Sequence, residues 1–73
     1  MSDNLYHVEK GKEYIVVDTP DLKLLSSMGV FEGVKIRKEN IYKFGGPVSV
    51  SLATRKIAIG KEVAEKILVK EAV

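Results

Sequence analysis

Apolar and polar residues alternate in short bursts along this chain, and the period changes from one burst to the next. The opening, Leu5 to Glu13, is polar with isolated apolar residues at Leu5 and Val8, and Lys10-Gly11-Lys12 reads as a turn. Tyr14-Ile15-Val16-Val17 is a β-branched run and predicts the first main strand. Thr19-Pro20-Asp21 then signals a helix start. Thr19 is suited to cap, Pro20 to the first helical position, and Asp21 to the positive end of the helix dipole. Leu22, Leu25 and Met28 recur every third residue with Leu24 beside them, and Gly29 stops the pattern. So short a helix needs packing to be stable.

Beyond Gly33 the period falls to two. Val34 and Ile36 alternate with Lys35 and Arg37, which predicts a half-buried strand with a basic outer face. Glu39-Asn40 reads as a turn, Ile41 to Phe44 as the returning strand, and Gly45-Gly46-Pro47 as a break. Val48, Val50 and Leu52 alternate with serines, a turn falls at Thr54-Arg55, and Lys56 to Ile59 forms another strand. Gly60-Lys61-Glu62 opens a short helical turn, and Ile67 to Val69 closes the chain as a strand. The sum is mostly β. Five or six short strands, one short helix after the first main strand and a helical turn near the C-terminus predict a small β-barrel.

Composition narrows the function. With 73 residues the chain makes one small domain, read as 1–73. A domain of about 60 residues buries only about 60% of its unfolded surface, so the core is thin. There is no Cys, which removes disulfides and thiolate metal sites. Twelve basic against ten acidic residues leave a net charge of +2, weak for a nucleic-acid binder. The apolar runs fall far short of the roughly 20 residues a membrane helix needs. Met1-Ser2-Asp3-Asn4 lacks the features of a secretory signal, so the reading is cytoplasmic.

The run from Leu25 to Val34 (Leu25-Ser26-Ser27-Met28-Gly29-Val30-Phe31-Glu32-Gly33-Val34) resembles the helix-and-turn signature of the FeoA family of ferrous iron transport proteins. Gly45-Gly46-Pro47 with Val48 and Val50, then Ile57-Ala58-Ile59, Ala64 and Ile67-Leu68-Val69, follow in the family's order. Glu32 stands where the family often has Pro, which leaves that turn less rigid. The resemblance implies an SH3-like β-barrel. It also implies a cytoplasmic accessory protein that docks on the GTP-hydrolysing part of the membrane transporter FeoB and modulates it.

The residues suggest little chemistry of their own. His7 is the only imidazole and has no His or Cys to join it as a ligand, so it reads as a solvated side chain. Ser26, Ser27, Ser49 and Ser51 have no partner to activate them, and Glu62 and Glu65 read as a solvated face. Gly45-Gly46-Pro47 lacks the lysine and hydroxyl of a phosphate loop. Neither catalysis, metal nor cofactor is implied.

Binding surfaces remain. Phe31 sits in a turn between Gly29 and Gly33, either folded back as a lid on Leu25 and Met28 or offered to a partner. The partner-contact set is Leu25, Met28, Val30 and Phe31, with Lys35 and Arg37 steering the encounter. The alternative is a small RNA-binding barrel. It would use Lys35, Arg37 and Lys43 on phosphates, with Tyr42 and Phe44 available for stacking.

Overall fold

A computed structural model of the protein describes residues 3–42 and 44–72. Six strands form one antiparallel sheet: β1 (Asp3–Asn4), β2 (Glu13–Asp18), β3 (Lys35–Ile41), β4 (Val48–Ser51), β5 (Lys56–Ile59) and β6 (Leu68–Glu71). Helix α1 (Lys23–Ser27) follows β2, and α2 (Lys61–Ala64) precedes β6. The strand order is β1-β6-β2-β3-β4-β5, so the last strand closes against β2 and pairs with the short first one. The sheet curls into an SH3-like β-barrel.

Strand alternation puts one face of each strand inside. Tyr14 and Val16 of β2, Ile36 of β3, Val48 and Val50 of β4, Ile59 of β5 and Val69 of β6 are all buried. Leu5, Leu25, Val30, Ala64 and Ile67 complete the core from the connections. The opening segment is thus less solvated than its polarity suggests. Leu5 is fully buried, and its N–H donates to Ile67 O at 2.8 Å.

Two expected boundaries move. The turn predicted at Glu39-Asn40 is strand: β3 runs on to Ile41, and the register shift between Lys38 and Asn40 absorbs Glu39 as a bulge. The reversal comes later, because Phe44 and Gly45 take the positive φ of a tight turn (60° and 72°), and the returning strand is β4, not Ile41 to Phe44. Helix α1 starts at Lys23 rather than at Pro20. Leu22 N–H donates to Pro20 O at 2.8 Å in a tight turn, which leaves Thr19 and Pro20 outside the helix.

Candidate functional site

Helix α1 is only five residues long, and its C-terminus is closed by a local device. Met28 is the C-cap, and Gly29 takes φ +91°. Val30 N–H donates to Leu25 O at 2.8 Å and Gly29 N–H to Ser26 O at 3.1 Å, a Schellman pairing. That motif brings the residue after the glycine onto the last turn of the helix, so both Val30 and Leu25 go inward. They are 1% and 2% exposed. Of the expected partner contacts, Leu25 and Val30 are therefore buried: they hold the helix to the barrel and present almost no surface of their own.

The outer side of the same helix is apolar and uncovered. Leu24 is 66% exposed and Leu22 44%, while Met28 is half-buried against the core. Between α1, the end of β5 and α2 lies a groove of about 120 Å³ lined by Leu22, Leu24, Met28, Ala58 and Val63, with Leu25 and Ile59 at its floor. Arg55 braces the helix from the β4–β5 turn, its guanidinium donating to Met28 O at 2.8 Å. A cation is well placed at the carbonyl end of a helix.

Phe31 does not act as a lid. It is half-exposed and lies outside the set of side chains packed on the core. Lys35 and Arg37 project from the outer face of β3, as the alternation required, but neither lines the groove. Arg37 pairs across the sheet with Glu13, and its Nε lies 3.8 Å from the Glu39 carboxylate.

That partial neutralisation weakens a phosphate-binding face. Tyr42 and Phe44 stand at the hairpin reversal instead of on the Lys35 face, and Lys43 lies outside the described residues. Nothing here supports the RNA-binding alternative.

Lys38 does not join Lys35 and Arg37 on the outer surface of β3. Its ammonium is buried with 0% exposure and donates to Tyr6 O (2.7 Å) and to Val8 O, 6.0 Å from the Tyr6 ring centre. Burial pushes its pKa below the ordinary lysine value. A signal was present: Lys38 follows Ile36 by two residues and so shares its inward face. Burial likewise raises the Tyr14 phenol, which donates to Glu9 O at 2.6 Å.

His7 is exposed, with its Nε2 3.5 Å from Glu65. Among the described residues no three His, Asp or Glu side chains converge to hold a metal ion. No helix among them is long and apolar enough to cross a membrane.

Fold and surface together define a small SH3-like barrel with an apolar groove beside its first helix. The sequence model of the FeoA domain matches residues 4–71. The crystal structure of an iron uptake regulatory protein (FeoA) superposes with a TM-score of 0.86 at 29% identity, covering 99% of both chains. A FeoA-like protein from Clostridium acetobutylicum gives 0.83 at 25% identity, over 99% of this chain and 88% of that one. A manganese-dependent transcriptional repressor gives 0.88 at 21% identity, over 97% of this chain but 42% of the repressor, a likeness of fold alone. No curated protein sequence matches. The chain belongs to the FeoA domain family, a family of iron transport.

Proposed function

We propose that this chain acts as one domain, a cytoplasmic accessory protein of ferrous iron uptake that docks on the GTP-hydrolysing part of the FeoB transporter. It modulates that partner by binding, without catalysis and without holding the iron itself. The observation that supports this is the groove beside α1, where Leu22 and Leu24 stand exposed around a cleft the size of an apolar side chain, with Phe31 exposed in the turn that follows the helix. Contiguous exposed apolar surface of this kind marks interaction sites. Lys35 and Arg37, away from the groove, serve to steer the encounter.

The test is a titration of the protein against the transporter's cytoplasmic part, in GTP-analogue and GDP forms, at low and moderate salt. Saturable binding that survives moderate salt is expected. Leu24→Asp removes a largely exposed leucine from the contact and should weaken binding by about 1–2 kcal/mol, roughly five- to thirty-fold. Phe31→Ala should weaken it similarly, both with unchanged circular dichroism. Absence of binding in every nucleotide state would refute the reading.

A further inference from the structure

The β3–β4 hairpin breaks a local rule. Its reversal uses two successive left-handed residues, Phe44 (φ 60°) and Gly45 (φ 72°). Positive φ at both central positions is the geometry of a type I′ turn, where Asn, Asp or Gly at the first position removes the strain that a bulky side chain suffers. Phe44 is the only described non-glycine residue with positive φ, and its side chain is 102% exposed. It gains nothing from the core, and it strains the turn. A residue unfavourable to its own fold and fully presented to solvent is kept for something outside the fold.

The surroundings indicate what that is. Ile41 and Tyr42, just before it, are also exposed, at 39% and 56%. The segment from Asn40 to Pro47 carries no acidic residue and one lysine, Lys43. Lys61 lies against the turn, where a Cβ on Gly45 would sit 3.7 Å from its Nζ. The Glu39 carboxylate, next in the chain, is occupied by Ser51 and faces Arg37. The turn is anchored at its base, with Tyr6 Oη donating to Gly46 O at 3.1 Å and Tyr42 N–H to Pro47 O at 3.1 Å.

Two exposed aromatic side chains and an isoleucine at the hairpin reversal, with the Lys61 ammonium against the turn, suit the interfacial layer of a bilayer. There aromatic rings sit at headgroup depth and lysines meet anionic lipid.

We propose that the β3–β4 hairpin tip is a peripheral membrane anchor, with Phe44 and Tyr42 entering the interface of an anionic lipid surface and Lys61 beside them. The anchor is weak by itself. One short apolar tip plus basic residues provides reversible contact, the kind that concentrates a protein at a membrane where a second interaction holds it. The inference does not depend on transporter docking, because it concerns a different surface and is tested without any transporter.

The chain has no Trp, so Phe44→Trp places a single reporter at the tip. Its emission should shift to the blue on mixing with vesicles of phosphatidylglycerol and phosphatidylcholine, and much less with phosphatidylcholine alone. Co-sedimentation of the unaltered protein with the anionic vesicles should fall roughly tenfold in Phe44→Asn, the weight of one aromatic ring withdrawn from apolar surroundings. The same variant should melt no lower than the parent, since Asn accepts the left-handed conformation. Lys61→Gln should reduce both the binding and its salt dependence. An unshifted Trp emission on anionic vesicles overturns the proposal, as does equal sedimentation of Phe44→Asn and the parent. The outcome in which the Trp shifts only with a protein partner assigns the tip to a protein pocket and equally overturns the lipid reading.

Discussion

Replacing Lys38 by Met isolates the buried ammonium from the apolar stem that carries it. In the native fold the ammonium makes two charge-assisted hydrogen bonds, to Tyr6 O and Val8 O, which tie the opening segment to β3. Such bonds contribute about 1.5–3 kcal/mol each, so roughly 3–6 together. Against them stands the desolvation of an ammonium, which costs several kcal/mol. The two nearly offset. Methionine keeps the packing of the stem and avoids the desolvation, but it leaves two carbonyls without their donor at about 1–3 kcal/mol each. Tyr6 and Val8 are only half-buried, so a small outward movement lets water satisfy part of that loss. The expected deficit of Lys38→Met at neutral pH is therefore about 1–3 kcal/mol, at roughly 4–8 °C in Tm for each kcal/mol in a domain this size.

The pH dependence gives the sharper check. The folded pKa of Lys38 lies below the ordinary lysine value of 10.5, so between the two the unfolded chain holds a proton that the folded chain has lost. Stability rises with pH wherever the unfolded state binds more protons. The native protein should gain stability from this group as pH climbs toward 10.5, and the variant should not, so the deficit of Lys38→Met widens. Tyr14 works in the opposite direction, because its raised pKa gives stability present below pH 10.0 and lost as pH rises through the folded value. It is common to both proteins and cancels in the difference. Urea unfolding followed by circular dichroism at a series of pH values between neutral and 10.5 makes the comparison. A deficit that stays constant or shrinks with rising pH would refute the account of Lys38 as a desolvated ammonium.

Two further substitutions probe how the groove is built. Leu25→Ala should cost about 2–5 kcal/mol, because it empties a core position under α1, and it should weaken partner binding only through loss of the helix. Comparison with Leu24→Asp, one residue away and expected to leave Tm unchanged, separates the two faces in a single thermal melt. Gly29→Ala forces a side chain into φ +91° beside Leu52 Cδ1 at 3.4 Å. It should cost about 1–2 kcal/mol or more, read as a lower urea midpoint with the slope unchanged.

The order of apolar and polar residues is enough to show which stretches alternate and therefore which strand side chains go inside. Val34, Ile36 and Val48 to Leu52 are legible because a strand has a period of two and one buried face. The end of α1 was equally legible, since a glycine after a short apolar period marks the Schellman geometry found at Gly29. Periodicity in the sequence is local, and what it misses is set by distant partners. Lys38 sits on the inward face like its neighbour Ile36, but the carbonyls that make its burial tolerable come from Tyr6 and Val8, some thirty residues earlier. Leu25 and Val30 read as candidate contacts until tertiary packing turned both inward and left Leu22 and Leu24 outside. The groove belongs to no single segment. It exists because the curled sheet and its connections bring α1, β5 and α2 together, and only the folded chain decides which apolar side chains that junction covers and which it leaves exposed.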